Sequence, residues 1–175
     1  GYGACQITSC HSDSDLMNGV CVLRTYTAIA TGPNHICAVT SNNRVRCSGY
    51  NAFGELGVTS DQYAYFYNGT TTEVHTCAVT TEGAVKCWGS NSVGQLGNGT
   101  NTDSAVPVVV SGLTGVKSLA SSSESTCAVM NSGRVMCWGG TPFAGSNPTN
   151  VPVEIVNLTN IQSLAAAADS RMCGV

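Results

Sequence analysis

Six of the ten cysteines in this chain of 175 residues form three pairs with one spacing: Cys37 and Cys47, Cys77 and Cys87, Cys127 and Cys137. Each pair brackets the same kind of segment, seen most fully in His75-Thr76-Cys77-Ala78-Val79-Thr80-Thr81-Glu82-Gly83-Ala84-Val85-Lys86-Cys87-Trp88-Gly89. A recurring unit of this kind constrains the fold more than any local motif, because each copy must be one supersecondary element that buries its apolar face on the next.

Taken as strand, turn and strand, the unit requires facing residues to have position numbers with a constant sum. In the second copy that sum is 164, which sets Cys77 opposite Cys87, Val79 opposite Val85 and Thr76 opposite Trp88. The first copy opposes Cys37 to Cys47 and Val39 to Val45; the third opposes Cys127 to Cys137, Val129 to Val135 and Thr126 to Trp138. The period of two along a strand then puts cysteines and valines on one face of each hairpin, and Ala78 with Lys86 or Ala128 with Met136 on the other. Three residues remain for each turn, and its last position holds Asn43, Gly83 or Gly133, residues that accept a left-handed backbone. Each cysteine pair is thus placed for a cross-strand disulfide at a close, non-hydrogen-bonded position.

Composition fixes the setting. Ten cysteines, six of them in hairpin register, require an oxidising compartment, so the chain is expected to be extracellular, secreted or at a cell surface. Charged residues make up only 10%, and 19 Ser with 19 Thr supply the polar exterior instead. A formal net charge of −3 with scattered basic residues excludes a phosphate-binding surface, and with it nucleic acid as a partner. No apolar run reaches the length of a membrane span, so membrane insertion is not expected. The sequence opens at Gly1 without a Met, as a processed product would.

Residues 1 to 21 are the irregular part, with Cys5, Cys10 and Cys21 around His11-Ser12-Asp13-Ser14-Asp15. Asp13, Asp15 and Asn18-Gly19 lack the ligand spacing and the Glu of a calcium loop. Leu23 to Ala30 reads as a β segment leading into the first hairpin. Each of the first two hairpins is followed by a glycine-rich segment: Gly49-Tyr50-Asn51-Ala52-Phe53-Gly54-Glu55-Leu56-Gly57, then Gly89-Ser90-Asn91-Ser92-Val93-Gly94-Gln95-Leu96-Gly97-Asn98-Gly99-Thr100. Successive first cysteines, Cys37, Cys77, Cys127 and Cys173, are separated by 40, 50 and 46 residues. The short step is ascribed to a missing Pro-Val strand and Leu-x-x-Val segment between Asp61 and Glu73. Tyr63-Ala64-Tyr65-Phe66-Tyr67 stands there instead, an edge strand or an aromatic binding patch.

Here the chain resembles the regulator of chromosome condensation repeat family. The family's repeat joins a CALT-type strand, a Gly turn, a CWG-type strand and N-x-x-G-Q-L-G-x-G. The second copy matches through Ala78, Gly83, Trp88, Gly89, Asn91, Gly94, Gln95, Leu96, Gly97 and Gly99, and the likeness covers about residues 24 to 175. The cysteine-containing form is similar to secreted and microbial members more than to nuclear ones. The resemblance, with the repeats, implies an all-β fold: a β-propeller or propeller-like array of about four short blades with disulfide-linked hairpins. The expected division of this single domain is an N-terminal segment 1–22, blades 23–60, 61–100 and 101–150, and a truncated fourth repeat 151–175. Ser48 departs from the Trp of the other copies, and Thr141-Pro142-Phe143-Ala144-Gly145 replaces the G-Q-L-G segment in the third.

The fourth copy is halved at Cys173, leaving a strand edge that pairs with something or aggregates. Cys10 and Cys21 are spaced for a hairpin-like pair, which would leave Cys5 for Cys173. The interleaved ends of propellers in this family imply the same bridge, although spacing alone does not fix the pairing of the four. If the bridge or the completing strand comes from a second molecule, a head-to-tail contact propagates.

Chemistry is mostly missing. His35 and His75 occupy one repeat position, where the later copies carry Ser125 and Arg171, so their role is structural. No catalytic fingerprint occurs and the cysteine spacing suits disulfides rather than zinc, so neither an enzyme, a metal nor a cofactor is expected. Three sequons, at Asn68, Asn98 and Asn157, are glycosylation candidates, with Asn68 favoured because it lies in the non-repeating insert. Family members include a nuclear exchange factor for a small GTPase and secreted inhibitors of β-lactamases, and neither activity transfers by matched residues. The leading expectation is an extracellular structural glycoprotein that self-associates, as in a fibre. The alternative is a monomeric propeller module, or a fragment of a longer one, with a protein or glycan ligand.

Overall fold

The structure is a computed structural model that describes residues 14–17, 20–23, 26–31, 35–40, 44–49, 51–57, 66–71, 75–141, 147–166 and 172–175, with side chains at 29–30 and at the described positions from 35 onward other than 66–71. The described residues contain strands and turns without helix, in five antiparallel sheets. A short hairpin, β1 (Ser14–Met17) with β2 (Val20–Leu23), comes first. Four further sheets follow in chain order. The first holds β3 (Tyr26–Thr31), β4 (His35–Thr40) and β5 (Val45–Gly49). The second holds β6 (Phe66–Thr71), β7 (His75–Thr80), β8 (Val85–Gly89) and β9 (Ser104–Val109). The third holds β10 (Val116–Ser121), β11 (Ser125–Met130), β12 (Val135–Gly139) and β13 (Thr149–Glu154). The fourth holds β14 (Leu164–Ala166) and β15 (Met172–Gly174).

These four sheets are blades of a propeller. Their first strands, β3, β6, β10 and β14, lie side by side in succession, and each sheet runs outward from that line. The central hairpins have the register that the cysteine spacing demands: Cys37 faces Cys47, Cys77 faces Cys87 and Cys127 faces Cys137. All three pairs are disulfide-bonded with Cα atoms 4.1 Å apart, the close approach of a non-hydrogen-bonded pair. Gly83 and Gly133 end the turns with φ of +79° and +78°, the left-handed backbone expected there. Asn43 lies outside the described residues.

Four expectations need correction. The inner strand of the second blade is present: Phe66–Thr71 pairs with β7 in the register, bulge included, that Val116–Ser121 uses on β11. Its polar sequence, Asn68-Gly69-Thr70, hid it, because an inner strand held on one side by ladder hydrogen bonds needs little apolar alternation. The aromatic run is therefore divided. Phe66 and Tyr67 open β6, whereas Tyr63, Ala64 and Tyr65 lie outside the described residues. Second, blades end later than the proposed repeat boundaries, since β9 closes the second sheet from beyond residue 100 and β13 closes the third across residue 150. Third, residues 1–22 are not wholly irregular. The pairing of Met17 with Val20 leaves Asn18-Gly19 between two strands, and that dipeptide is a hairpin signal rather than a calcium remnant. Fourth, Cys173 is exposed with a free thiol instead of bridging to Cys5. Its neighbour across the ladder is Ala165, and the third strand, which carries the second cysteine of every other blade, has no counterpart beside β15 among the described residues. Cys5 and Cys10 lie outside the described residues, and only the backbone of Cys21 is described, within β2.

The core lies between blades rather than within one. Cys77, Val79, Val85 and Cys87 of the second blade pack on Ala128 and Trp138 of the third, with Leu96, Val110, Leu113 and Val116 around them. Cys127, Val135 and Cys137 of the third pack on Met172 of the fourth. Val45 and Cys47 of the first cover Ala78 and Trp88 of the second. Every blade thus lays its cysteine face on the opposite face of the next. The two faces read from the alternation of one hairpin are consecutive layers of one stack.

Candidate interaction surface

The first two joints between blades share one hydrogen-bonded construction, and it explains most of the repeat's polar residues. His35 Nε2 lies 2.9 Å from Thr76 Oγ1, and Thr76 Oγ1 donates to the main-chain oxygen of Glu55 at 3.0 Å. Trp88 Nε1 donates to that same oxygen at 2.8 Å. One blade further on, His75 Nε2 lies 2.8 Å from Thr126 Oγ1, while Thr126 Oγ1 and Trp138 Nε1 donate to the Gln95 carbonyl at 3.2 and 2.9 Å. Because each threonine spends its proton on the carbonyl, it must accept from the histidine. The imidazole is therefore the neutral Nε2–H tautomer. Burial pushes the His75 imidazole down to about 3, with the neighbouring His35 acting in the same direction. Burial also lowers His35, offset in part by Glu55. These histidines act as fasteners between blades.

The glycine-rich segment presents the carbonyl. Asn91 Oδ1 accepts from the Leu96 amide at 2.9 Å, and Asn91 Nδ2 donates to the carbonyls of Thr100 and Thr102 at 2.9 and 3.0 Å. Gln95 Oε1 reaches back to the Val93 amide, as Glu55 Oε2 does to Phe53. Gly94 has φ +85°, and a Cβ there would lie 2.6 Å from the Asn150 Cα of the next blade's outer strand. Leucine 96 fills the joint. The motif N-x-x-G-Q-L-G is thus a clamp by which one blade holds the edge and centre of its successor. Glu55 is fully buried like Gln95, but its Oε1 has no hydrogen-bond partner.

The two ends of the stack differ from its interior. Ile36 and Ser48 occupy the positions of Thr76 and Trp88, so the outer face of the first blade carries neither donor. Ile36 is 43% exposed and Ile29 64%, whereas the equivalent face of the third blade, with Ala128 and Trp138, is fully buried. A groove of about 280 Å³, lined by Ile29, Ile36, Ala38, Arg46, Cys47 and Ser48, runs over this face. At the other end Met172, in the threonine position, is buried against the third blade, while Ala165 and Cys173 are exposed. Sequence inspection noted Ser48 and the halved fourth copy but did not join them as two ends of one stack. The signal was there in the single Thr-to-Ile change at the position before Cys37.

Other candidate residues fall elsewhere. Asn98 is half-buried, and its Oδ1 accepts from the Thr100 amide and hydroxyl, which makes it part of the clamp. Asn157 is exposed in the turn after β13. Asn68 sits inside β6, opposite Val79, rather than in an insert. Among the described residues no cluster of three His, Cys, Asp or Glu is placed to hold a metal ion. No helix there is long and apolar enough to cross a membrane. A polar groove of about 450 Å³ beside Asn101 and Asn150 has its amides engaged internally, Asn101 with Ser92 and Asn150 with Asn101.

Two models of the regulator of chromosome condensation (RCC1) repeat match residues 82–129 and 26–55. Those two stretches are RCC1-like repeats. The first match runs through β8, β9, β10 and β11, so one sequence repeat supplies the outer half of one blade and the inner half of the next. Human WBSCR16 is similar in structure with TM-score 0.72 and 18% identity, over 83% of this chain and 43% of that one. Prp20p of Saccharomyces cerevisiae gives 0.70 and 21%, over 82% and 42%. The CRINKLY WD40 ectodomain of the Arabidopsis thaliana receptor kinase ACR4 gives 0.55 and 19%, over 86% and 53%. The chain therefore spans about half or less of the structures it resembles, and at these identities the likeness concerns the fold. The comparison with curated proteins returns no match.

Proposed function

We propose that this chain is a non-catalytic extracellular structural module that self-assembles, its fourth blade being completed by a second molecule. The observation that carries the reading is β15. Among the described residues it has a partner on one side only, and its cysteine is a free, exposed thiol where the other three blades each have a disulfide. A strand edge left this way is a template for pairing with another chain, and a head-to-tail pairing propagates into rings or fibres. The exposed Asn157, in the turn after β13, is a sequon open to a glycan.

A protein-binding module that stays monomeric is the second reading. It draws on the fold neighbour Prp20p, whose structure was described together with its binding to Gsp1p and histones. Gel filtration with light scattering, with and without reductant, separates the two. Assembly gives species larger than one chain. A monomer under both conditions overturns the first reading in favour of the second.

A further inference from the structure

We propose that the outer face of the first blade is the second half of this assembly contact: the apolar groove over Ile29 and Ile36 receives the fourth blade of another copy, with that copy's Cys173 seated against Ile36. The inference rests on the self-assembly reading and names the surface that reading leaves open.

Its basis is continuity with the joints inside the chain. At each internal joint the first cysteine of one hairpin lies over the residue that precedes the first cysteine of the next. Cys37 Sγ is 4.0 Å from Thr76 Oγ1, and Cys77 Sγ is 3.8 Å from Thr126 Oγ1. Continued past the end of the stack, the rule sets Cys173 of one copy over residue 36 of another. The face of Ala165 and Cys173 is the exposed cysteine face, and the face of Ile29 and Ile36 is the exposed opposite face. They are the two halves of the contact that joins the first blade to the second and the second to the third.

The chemistry of the two halves matches in what it lacks. A joint with a fastener needs a histidine on one side and Thr with Trp on the other. The fourth copy has Arg171 in the histidine position, and the first has Ile36 and Ser48 in the Thr and Trp positions. Neither side carries the histidine, threonine or tryptophan of a fastener, so the two surfaces would meet by apolar contact over Ile29 and Ile36, with Arg46 among the residues that line the groove. The joint between the third and fourth blades sets the precedent. Ser125 replaces the histidine, Met172 replaces the threonine, and Met172 is 8% exposed against Cys127, Val135 and Cys137. Because the two surfaces differ and belong to opposite ends, the contact is heterologous and propagates.

The full chain carrying Ile36→Cys tests this, alongside the same chain with Cys173→Ser added. Position 36 is exposed, so the fold survives, as retained hairpin disulfides in a non-reduced peptide map would verify. Under mild oxidation the expected result is a ladder or covalent ring on a non-reducing gel, with the peptides of positions 36 and 173 crosslinked and the product lost when Cys173 is replaced. In sedimentation velocity, Ile29→Lys with Ile36→Lys should weaken association by about tenfold or more, since two isoleucines lose their burial. Assembly that persists unchanged in the lysine variant, with no crosslink between 36 and 173, overturns this face while the assembly reading stands. A wild-type chain that is monomeric throughout overturns both.

Discussion

The two joints in the middle of this stack and the two faces at its ends are built from the same hairpin, yet they follow different rules. Between the first and second blades, and between the second and third, a buried imidazole, a threonine, a tryptophan and a main-chain carbonyl close on one another. On the outer face of the first blade the same positions hold Ile36 and Ser48, and at the joint to the fourth blade Met172, so neither place has the fastener. The middle joints have directional bonds that permit one partner in one register. The ends have surfaces whose selectivity is shape and position. A polar fastener suits a contact made once, within a chain, where both sides are always present together. An apolar face tolerates a time without its partner, since it leaves no buried polar group unsatisfied when open.

The largest test of that contrast is Trp138→Ala set against Ser48→Ala. Trp138 is fully buried and bonded to Gln95, so its truncation is expected to cost about 3–5 kcal/mol in urea unfolding. Ser48, its exposed counterpart, should change stability by less than about 0.5 kcal/mol. Equal costs would show that the end face is as tightly engaged as the middle. Next comes removal of Cys77 with Cys87, to Ala, against removal of Cys37 with Cys47. Both bridges close loops of sequence separation 10, so the chain-entropy part, about 2–3 kcal/mol, is common. The second pair should cost more by the packing of its fully buried sulfurs, whereas Cys47 is half-buried.

The third test is acid. His75 is held neutral in the folded chain down to about 3, while the unfolded chain takes up its proton near 6.5. Below pH 6.5 the unfolded state binds more protons, so stability falls with pH, by about 2 kcal/mol at pH 5 from His75 alone. Stability at pH 5 and 7, measured for the wild type and for His75→Gln, should differ in the first and much less in the second. The smallest expected effect is Glu55→Gln. Replacing a buried carboxylate that has one unpartnered oxygen by the amide its sister clamp uses should stabilise by about 1 kcal/mol.

How far the sequence carried the fold depended on where each interaction partner lay. The hairpins were legible because both strands and the turn fall within fifteen residues, from His75 to Gly89, and one arithmetic constraint covers them. The RCC1-like repeat was legible for the same reason, through contiguous motifs around Gly94 and Gln95. The inner strand at Phe66–Thr71 was not, since its partner β7 sets its conformation and its own residues carry no strand pattern. Nor were the fasteners. His35 and Thr76 are 41 positions apart, and nothing local marks a histidine as the donor to a threonine on the next blade. The end faces were half legible. The halved fourth copy stood out, but that Ile36 faces the same way as Trp88 requires knowing which hairpin face each neighbour covers.

The offset between sequence repeat and blade has a consequence for how such chains change length. The matched repeat at 82–129 begins at the turn of one blade's central hairpin and ends in the first strand of the next blade's. Excising Thr80 to Val129 would join Val79 to Met130, and Cys77 would meet Cys137 across a hairpin built from two parents. Neither edge nor thiol would be orphaned. Unequal crossing-over between repeats therefore yields chains that differ by whole blades and are sound at every seam. The terminal faces, which lie outside the exchanged unit, would be inherited intact.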